Sequence, residues 1–311
     1  MKYSIVFPGQ GSQSLGMLSD LNSNFSVVSE VFQEASDSIS VDLWQILNED
    51  QEALNLTENT QPIMLAAGYA TYKVLSGETS LTPLSMAGHS LGEYTALVAS
   101  NAISFFDAIG LVRKRGELMQ SAVPSGTGSM AAILGLEDAI IIEICHKASN
   151  KGVVEAVNFN SPGQVVIAGE KNAVAHACEL LKEVGARRAL ILPVSVPSHC
   201  SLMKEAAAKF KTFIESVDFK TSNAKVIHNV DADYAGDTDA IKTKLVEQLY
   251  MPVLWTDSVI KMKDSGVERL IEVGPGKVLT GLTRRIDKSL SASAIIDVSS
   301  LKSTIEEISN A

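Results

Sequence analysis

A serine between two glycines, in the pentapeptide Gly88–Gly92, is the residue of this chain best suited to covalent chemistry. An apolar run precedes the pentapeptide and good helix formers follow it, which is typical of the strand–turn–helix known as a nucleophile elbow. The glycines would allow a sharp turn that exposes the Ser90 hydroxyl, and the amide of Leu91 would point to where an oxyanion forms. A turn in which the glycines only permit close packing is the alternative.

A serine nucleophile at neutral pH needs a base, which is most often histidine. The chain has five histidines. His89 adjoins the serine and should point away from it, whereas His199 follows Pro197 on a loop at a predicted domain junction. We expect His199 to be the base and keep His228, in a strand-like segment, as the second candidate.

Three consecutive cations, residues 113–115, fall in a helix predicted from about 104 to 122. Because successive helix residues point about 100° apart, the three cannot share one environment. Arg115 lies on the same stripe as the apolar residues Ala108 and Leu111, so it is the one expected to face inward. A buried guanidinium needs a carboxylate or phosphate partner, and the sequence leaves open whether the protein or a ligand supplies it.

A glycine-rich loop that contains Gln10 follows the first predicted strand, residues 4–7. The loop lacks the third glycine of a dinucleotide-binding fingerprint and the Gly-Lys-Ser/Thr of a Walker A loop, which argues against phosphate binding. It lies at the carboxyl end of a strand, where ligands bind in open α/β sheets. Gln10 is therefore a candidate site residue, although a loop residue that bonds only within its own turn is the alternative.

The order of predicted strands and helices indicates an α/β protein in two parts. Residues 129–192 follow the order strand–helix–strand–strand–helix–strand of a ferredoxin-like unit. The rest of the chain alternates strands and helices around the elbow. We predict a large, discontinuous α/β-hydrolase-like domain, residues 1–125 and 197–311, with a small ferredoxin-like domain, residues 126–196, inserted in it.

Composition limits the function classes. The 311 residues carry a formal charge of −10, which disfavours nucleic acid and membrane surfaces as partners. Three cysteines without close pairing suit a reducing compartment, and neither a signal-peptide pattern nor a bilayer-spanning stretch occurs, so we expect a cytoplasmic protein. His176 and Cys178 lie on roughly opposite faces of a predicted helix and do not form a metal pair, so we expect no metal.

Seven sequence blocks taken together resemble the stand-alone bacterial malonyl-CoA:acyl carrier protein transacylases of fatty-acid synthesis. The resemblance runs from residue 4 to about 285. The blocks occur in the family's order, at residues 7–13, 88–94, 113–116, 157–164, 196–199, 248–250 and 272–276.

The resemblance implies a two-step transfer of malonyl from malonyl-CoA to the phosphopantetheine thiol of acyl carrier protein, through an ester of Ser90. It implies His199 as the base and the amides of Gln10 and Leu91 as the oxyanion hole. It also implies that Arg115 binds the malonyl carboxylate, a role that explains an inward arginine better than an internal salt bridge does.

Further roles rest on the resemblance alone. It implies that the carbonyl of Gln248 orients the histidine in place of a triad aspartate, and that Asn160 lines the acyl pocket. No cofactor is implied, because the phosphopantetheine is carried by the partner protein. Acyl carrier protein is typically acidic and should dock on a basic patch, for which Arg187–Arg188 and Arg284–Arg285 with Lys288 are candidates. We expect a monomer.

Three other functions stay open. A serine hydrolase with this elbow would need a histidine late in the chain, and none follows His228. An acyltransferase of polyketide type would take methylmalonyl or another extender unit. A non-catalytic module that binds a carrier protein would not need the serine, histidine, arginine and glutamine that are all in place here.

Overall fold

The computed structural model describes residues 2–80, 82–194 and 196–309. Within these ranges the strands are β1 (Tyr3–Phe7), β2 (Ser85–Gly88), β3 (Gly128–Leu134), β4 (Val154–Ser161), β5 (Gln164–Glu170), β6 (Arg188–Ile191), β7 (Lys225–Ile227), β8 (Arg269–Val273) and β9 (Ser291–Ile295). The α-helices of the same ranges are α1 (Ser19–Asn24), α2 (Val27–Ile39), α3 (Leu43–Glu49), α4 (Gln51–Leu54), α5 (Thr57–Glu78), α6 (Gly92–Ala99), α7 (Phe105–Gln120), α8 (Asp138–Ala148), α9 (Lys171–Glu183), α10 (Lys204–Glu215), α11 (Thr238–Glu247), α12 (Trp255–Asp264), α13 (Val278–Ile286) and α14 (Val298–Ser309).

The main sheet has five parallel strands in the order β7-β2-β1-β8-β9. All residues of the central strand β1 are buried, as expected for a parallel strand with helices on both faces. Phe7 of β1 pairs with Gly88 of β2, so the two strands end at the same level. The loop that carries Gln10 and the turn that carries Ser90 therefore leave the sheet side by side, at its carboxyl edge.

The second sheet has four antiparallel strands in the order β4-β5-β3-β6. Helices α8 and α9 pack on it around a separate apolar core that includes Ile133, Ile167 and Leu181. This is the ferredoxin-like arrangement, and the predicted fold class is confirmed. The division into residues 1–125 with 197–311 and 126–196 stays a prediction; residue 195, near that boundary, lies outside the described ranges.

Several elements were absent from the sequence interpretation. The short helix α1 precedes α2, and the short helices α3 and α4 follow it. None of the three gives a clear periodicity in the sequence, because each has only one or two buried residues. The terminal pair, β9 and α14, was also missed. Strand β9 has the sequence SASAI and lies at the edge of the main sheet, so it lacks the apolar run typical of a buried strand.

The elbow depends on its two glycines because backbone atoms occupy the space of a side chain at both. A Cβ on Gly88 would lie 1.8 Å from the carbonyl carbon of Gly92. A Cβ on Gly92 would lie 2.1 Å from the carbonyl oxygen of Phe7 and 2.9 Å from that of Pro8. Helix α6 therefore starts in direct contact with the end of β1, and only glycine permits this approach.

Replacing Gly92 with alanine is expected to destabilise the protein by several kcal/mol, because a methyl group would overlap the Phe7 carbonyl. The matched control is Gly110→Ala in α7, where a Cβ meets nothing within 4 Å. That variant should gain about 0.5–1 kcal/mol, since alanine is the better helix former. Urea denaturation of both variants measures the two changes; a Gly92→Ala variant as stable as the parent would contradict the close-contact argument.

Candidate active site

Three residues from distant parts of the chain form a hydrogen-bonded series at the elbow. The hydroxyl of Ser90 lies 2.7 Å from Nε2 of His199, and Nδ1 of His199 lies 2.6 Å from the main-chain oxygen of Gln248. A carbonyl only accepts, so Nδ1 carries the proton of the neutral ring and Nε2 is free to accept from the serine. The histidine is thereby held in the tautomer that a general base requires.

His199 is held in place by its backbone as well as by its ring. Its φ of 66° lies in the left-handed region, and its amide donates to the carbonyl of Leu249 at 3.0 Å. The side chain is only 3% exposed. Burial, reinforced by the charge of Arg115, lowers the pKa of His199 from 6.5 to about 3, so the ring is neutral at physiological pH.

Arg115 is buried, as its position on the apolar stripe of α7 predicts. The residue is 1% exposed. It donates from one terminal nitrogen to the side-chain oxygen of Gln61 at 2.9 Å, and from the other to that of Gln248 at 3.0 Å and to the Ser90 hydroxyl at 3.3 Å. The two cations that precede it, Arg113 and Lys114, are less buried, and both pair with Glu117 nearer the surface.

No carboxylate contacts Arg115 among the described residues; its hydrogen-bond partners there are neutral, and its Nε has none. Burial lowers the pKa of Arg115, yet a guanidinium keeps its proton in proteins. The side chain is therefore a desolvated cation beside a serine hydroxyl, and an anionic group that reached it would be strongly bound.

The backbone of Ser90 has a φ of 51°, which is uncommon for a residue with a side chain. The side chain of Asn229 holds it: the amide of Ser90 donates to Oδ1 at 2.7 Å, while Nδ2 donates to the carbonyl of Gly88 at 2.8 Å. Nε2 of Gln248 donates to the carbonyl of Ser90 at 3.0 Å. The strained turn is thus fixed on both sides by side-chain amides.

Behind the elbow lies the fully buried carboxylate of Glu93. It accepts from Nδ1 of His228 at 2.7 Å, from the amide of Asn229 at 2.9 Å and from Nε2 of Gln248 at 2.7 Å. His228, the second candidate for the base, therefore bonds to this carboxylate and not to Ser90. The sequence interpretation missed Gln61, Glu93 and Asn229, because nothing in their local pattern separates them from ordinary helix and loop residues.

The two amides expected to form an oxyanion hole lie in neighbouring segments, one after the end of β1 and one before the start of α6. Leu91 precedes the first residue of α6, and Gln10 follows β1 by three residues in the loop beside the elbow. The two segments touch, since the amide of His89 donates to the carbonyl of Phe7 at 3.0 Å. Among the described residues neither the amide of Gln10 nor that of Leu91 has an acceptor, so both can donate to a ligand.

Asn160 lies at the end of β4 and links the second sheet to the elbow. Its side-chain oxygen accepts from Nε2 of His89 at 2.8 Å. His89 also lies near Trp255, with 5.6 Å between the ring centroids, and the expectation that it points away from the Ser90 hydroxyl stays a prediction. A role for Asn160 in lining an acyl pocket stays a prediction.

Among the described residues, no group of three or more His, Cys, Asp or Glu side chains could hold a metal ion. Across residues 2–80, 82–194 and 196–309, every helix is too short or too polar to span a membrane. Both groups of cations predicted as docking candidates are exposed: Arg284–Arg285 and Lys288 at the end of α13, where Arg285 donates to Gln164 of β5, and Arg187–Arg188 at the start of β6.

The family model of the acyl transferase domain matches residues 4–304. That class agrees with a serine elbow, a neutral histidine and a buried arginine on a parallel sheet. A malonyl CoA-acyl carrier protein transacylase of Escherichia coli strain K12 is 51% identical over 306 residues, covering 98% of this chain and 99% of that protein. The chain belongs to the acyl transferase family and, within it, to the malonyl CoA-acyl carrier protein transacylases.

Solved structures agree with this assignment. A crystal structure of an acyl carrier protein S-malonyltransferase from Vibrio cholerae has a TM-score of 0.95 and 52% identity, with 98% of this chain and 100% of that chain covered. A malonyl-transacylase in complex with its type II polyketide synthase acyl-carrier protein has a TM-score of 0.97 and 50% identity, with 99% and 100% covered. The resemblance drawn from the seven blocks is confirmed.

His199 should make folding sensitive to acid. Below about pH 6.5 the unfolded chain takes up a proton at this residue, whereas the folded protein keeps the ring neutral down to about pH 3. The free energy of unfolding therefore falls as the pH is lowered through this window, by up to about 1.4 kcal/mol per pH unit from this group. At higher pH both states are neutral and the contribution is constant.

The test is His199→Asn, because asparagine has no proton to bind here and tolerates a positive φ. Urea denaturation of the parent and the variant at a series of pH values between about 6 and 4 should give a shallower slope for the variant. Equal slopes would mean that His199 protonates in the folded protein as easily as in the unfolded chain.

Proposed function

We propose that this chain moves a malonyl group from malonyl-CoA to the phosphopantetheine thiol of acyl carrier protein through an ester of Ser90. The observation that carries the proposal is the buried Arg115, which has neutral partners and lies 3.3 Å from the Ser90 hydroxyl. A malonyl thioester combines a carbonyl for the serine with a carboxylate for the guanidinium. Family membership supports the same substrate class.

In the first half-reaction the Ser90 hydroxyl attacks the thioester carbonyl while its proton passes to Nε2 of His199. The amides of Gln10 and Leu91 donate to the oxyanion of the tetrahedral intermediate. When the intermediate collapses, the carbon–sulfur bond breaks and the departing CoA sulfur takes the proton from His199. The products are the malonyl ester of Ser90 and free CoA.

The second half-reaction runs the same steps in reverse with another thiol. The thiol of the carrier's phosphopantetheine gives its proton to His199 and attacks the ester carbonyl. The bond to the serine oxygen breaks, and His199 returns the proton to Ser90. The carbonyl of Gln248 stabilises the imidazolium in both halves, as the aspartate does in a catalytic triad, without placing a second charge in the site.

Substrate binding and base strength are coupled through Arg115. In the free protein the arginine's positive charge is one of the causes that lower the pKa of His199. A malonyl carboxylate on the guanidinium would neutralise that charge, so the pKa of His199 rises when the substrate is in place. The base is therefore strongest with malonyl bound and weaker with an acyl group that lacks a carboxylate.

For the carrier protein, the exposed cations Arg284–Arg285 and Lys288 at the end of α13 offer a docking patch, and Arg285 in this patch donates to Gln164 of the second sheet. The chain as a whole is acidic, with a charge of −10, so an acidic partner must approach a local basic area. The second candidate pair, Arg187–Arg188, starts β6 at the edge of the second sheet.

The first test is intact-mass spectrometry after mixing the protein with malonyl-CoA and then with phosphopantetheinylated carrier protein. The parent should gain one malonyl group and lose it to the carrier thiol. Ser90→Ala should gain none, because no second nucleophile is activated. Release of free malonate without transfer would instead make the protein a hydrolase.

The matched control is Cys200→Ala, next to the proposed base. Burial raises the pKa of the Cys200 thiol to about 12, so the thiolate that could attack a thioester is scarce. This variant should still form the malonyl adduct. Loss of the adduct in Cys200→Ala, or its survival in Ser90→Ala, would contradict the assignment of the nucleophile.

Arg115→Ala is expected to abolish the preference for malonyl over acetyl. Removal of a charge-assisted contact to the carboxylate should lower kcat/KM for malonyl-CoA by about 10–150-fold, while acetyl-CoA makes no such contact. The control is Arg113→Ala, two residues earlier on α7, which pairs with Glu58 and Glu117. A malonyl-to-acetyl ratio of kcat/KM that is unchanged in Arg115→Ala, or that falls equally in Arg113→Ala, would assign Arg115 a structural role.

A further inference from the structure

The buried carboxylate of Glu93 lies three residues after Ser90, in the first turn of α6. It is 0% exposed, and burying a carboxylate is unfavourable unless donors surround it. Its donors are His228, the amide of Asn229 and the side chain of Gln248. Of these, the contact with Gln248 leads directly to the proposed substrate-binding residue.

The side-chain amide of Gln248 has one end that donates and one that accepts. Its Nε2 faces the Glu93 carboxylate at 2.7 Å, and its Oε1 faces the Arg115 guanidinium at 3.0 Å. A carboxylate accepts and a guanidinium donates, so only this orientation satisfies both neighbours. A rotation of the amide by half a turn would set two oxygens against each other on one side and two donors on the other.

We propose that Glu93 is a positioning residue, which acts through the Gln248 amide to fix Arg115 beside the Ser90 hydroxyl. Without the carboxylate, Nε2 of Gln248 loses its shortest contact and keeps the carbonyl of Ser90 at 3.0 Å and Oδ1 of Asn229 at 3.4 Å as acceptors. The amide is then held less firmly, so its Oε1 no longer fixes the guanidinium in the position that a malonyl carboxylate needs. This inference rests on the proposed function.

A merely structural role for Glu93 is the competing explanation. A carboxylate in the first turn of a helix is stabilising by itself, because it faces the positive end of the helix dipole. Such a role would lower the population of folded protein and affect every substrate alike. A positioning role acts on the arginine and therefore changes malonyl transfer more than acetyl transfer.

The experiment compares acylation by malonyl-CoA and by acetyl-CoA in the parent, Glu93→Ala and Glu93→Gln. Glu93→Ala should lower the malonyl-to-acetyl ratio of kcat/KM by about tenfold or more, the effect of one hydrogen bond to a charged group. Glu93→Gln should restore most of the ratio. In this variant the oxygen of the new amide can accept from Nε2 of Gln248 while its NH2 group donates to Nδ1 of His228. Nδ1 can accept when the neutral imidazole of His228 carries its proton on Nε2.

The control is Glu272→Ala. Glu272 is likewise buried, at 1% exposure, and its carboxylate accepts from the amides of Leu279 and Thr280 at the start of α13. Its removal should lower the free energy of unfolding and leave the malonyl-to-acetyl ratio unchanged. This separates the loss of any buried carboxylate from the loss of the one that contacts Gln248.

A second test keeps the charge and does not depend on Glu93→Ala being folded. Glu93→Asp shortens the side chain by one methylene, withdraws the carboxylate from Gln248 and should also lower the ratio. Gln248→Met removes the amide but keeps the main-chain oxygen that contacts His199. It should lower the ratio by itself, and adding Glu93→Asp should lower it no further, because both changes break one pathway.

The outcomes separate this inference from the proposed function. A parent protein that forms no malonyl ester would contradict the proposed function itself. If the parent forms the ester and Glu93→Ala and Glu93→Asp lower both substrates' rates equally, Glu93 is structural and the positioning role is wrong. Additive losses in the double variant would also overturn it.

Discussion

The site depends on holding one serine in an unfavourable backbone conformation. Ser90 has a φ of 51°, which costs on the order of 1–3 kcal/mol for a residue with a side chain. The surroundings offset that cost with fixed contacts: the glycines let α6 start against the end of β1, and Asn229 and Gln248 bond both sides of the turn. Each of these contacts also sets the position of the serine hydroxyl. Turn geometry and serine reactivity therefore come from the same contacts.

The second constraint is the buried guanidinium of Arg115. Its hydrogen-bond partners within the described ranges are neutral oxygens, so much of the free energy of desolvating the cation is left uncompensated until an anion arrives. A site of this kind favours substrates that bring a negative charge. The same charge disfavours protonation of His199. Under the proposed function, substrate selectivity and the strength of the base would share this one electrostatic cause.

Local patterns in the sequence predicted the residues that a turn or a helix stripe positions. The elbow followed from the spacing of Gly88 and Gly92, and the inward direction of Arg115 followed from its helix periodicity. The supporting residues escaped because their partners are far away in the chain: Asn229 bonds to the amide of Ser90 across 139 positions, and Gln61 bonds to Arg115 across 54. Such contacts depend on how the helices pack, and helix periodicity gives the buried face of a helix but not what it meets there.

Two opposite charges, Glu93 and Arg115, lie buried near each other without touching, and the Gln248 amide stands between them. A direct salt bridge would stabilise both charges, but it would also occupy the guanidinium and leave no reason for it to bind a substrate carboxylate. With an amide between them, the negative charge still lowers the electrostatic cost of burying the arginine. The guanidinium keeps donors that lack a strong acceptor. The arrangement is therefore one in which the protein compensates the charge of Arg115 in part and leaves the rest of the stabilisation to an incoming anion.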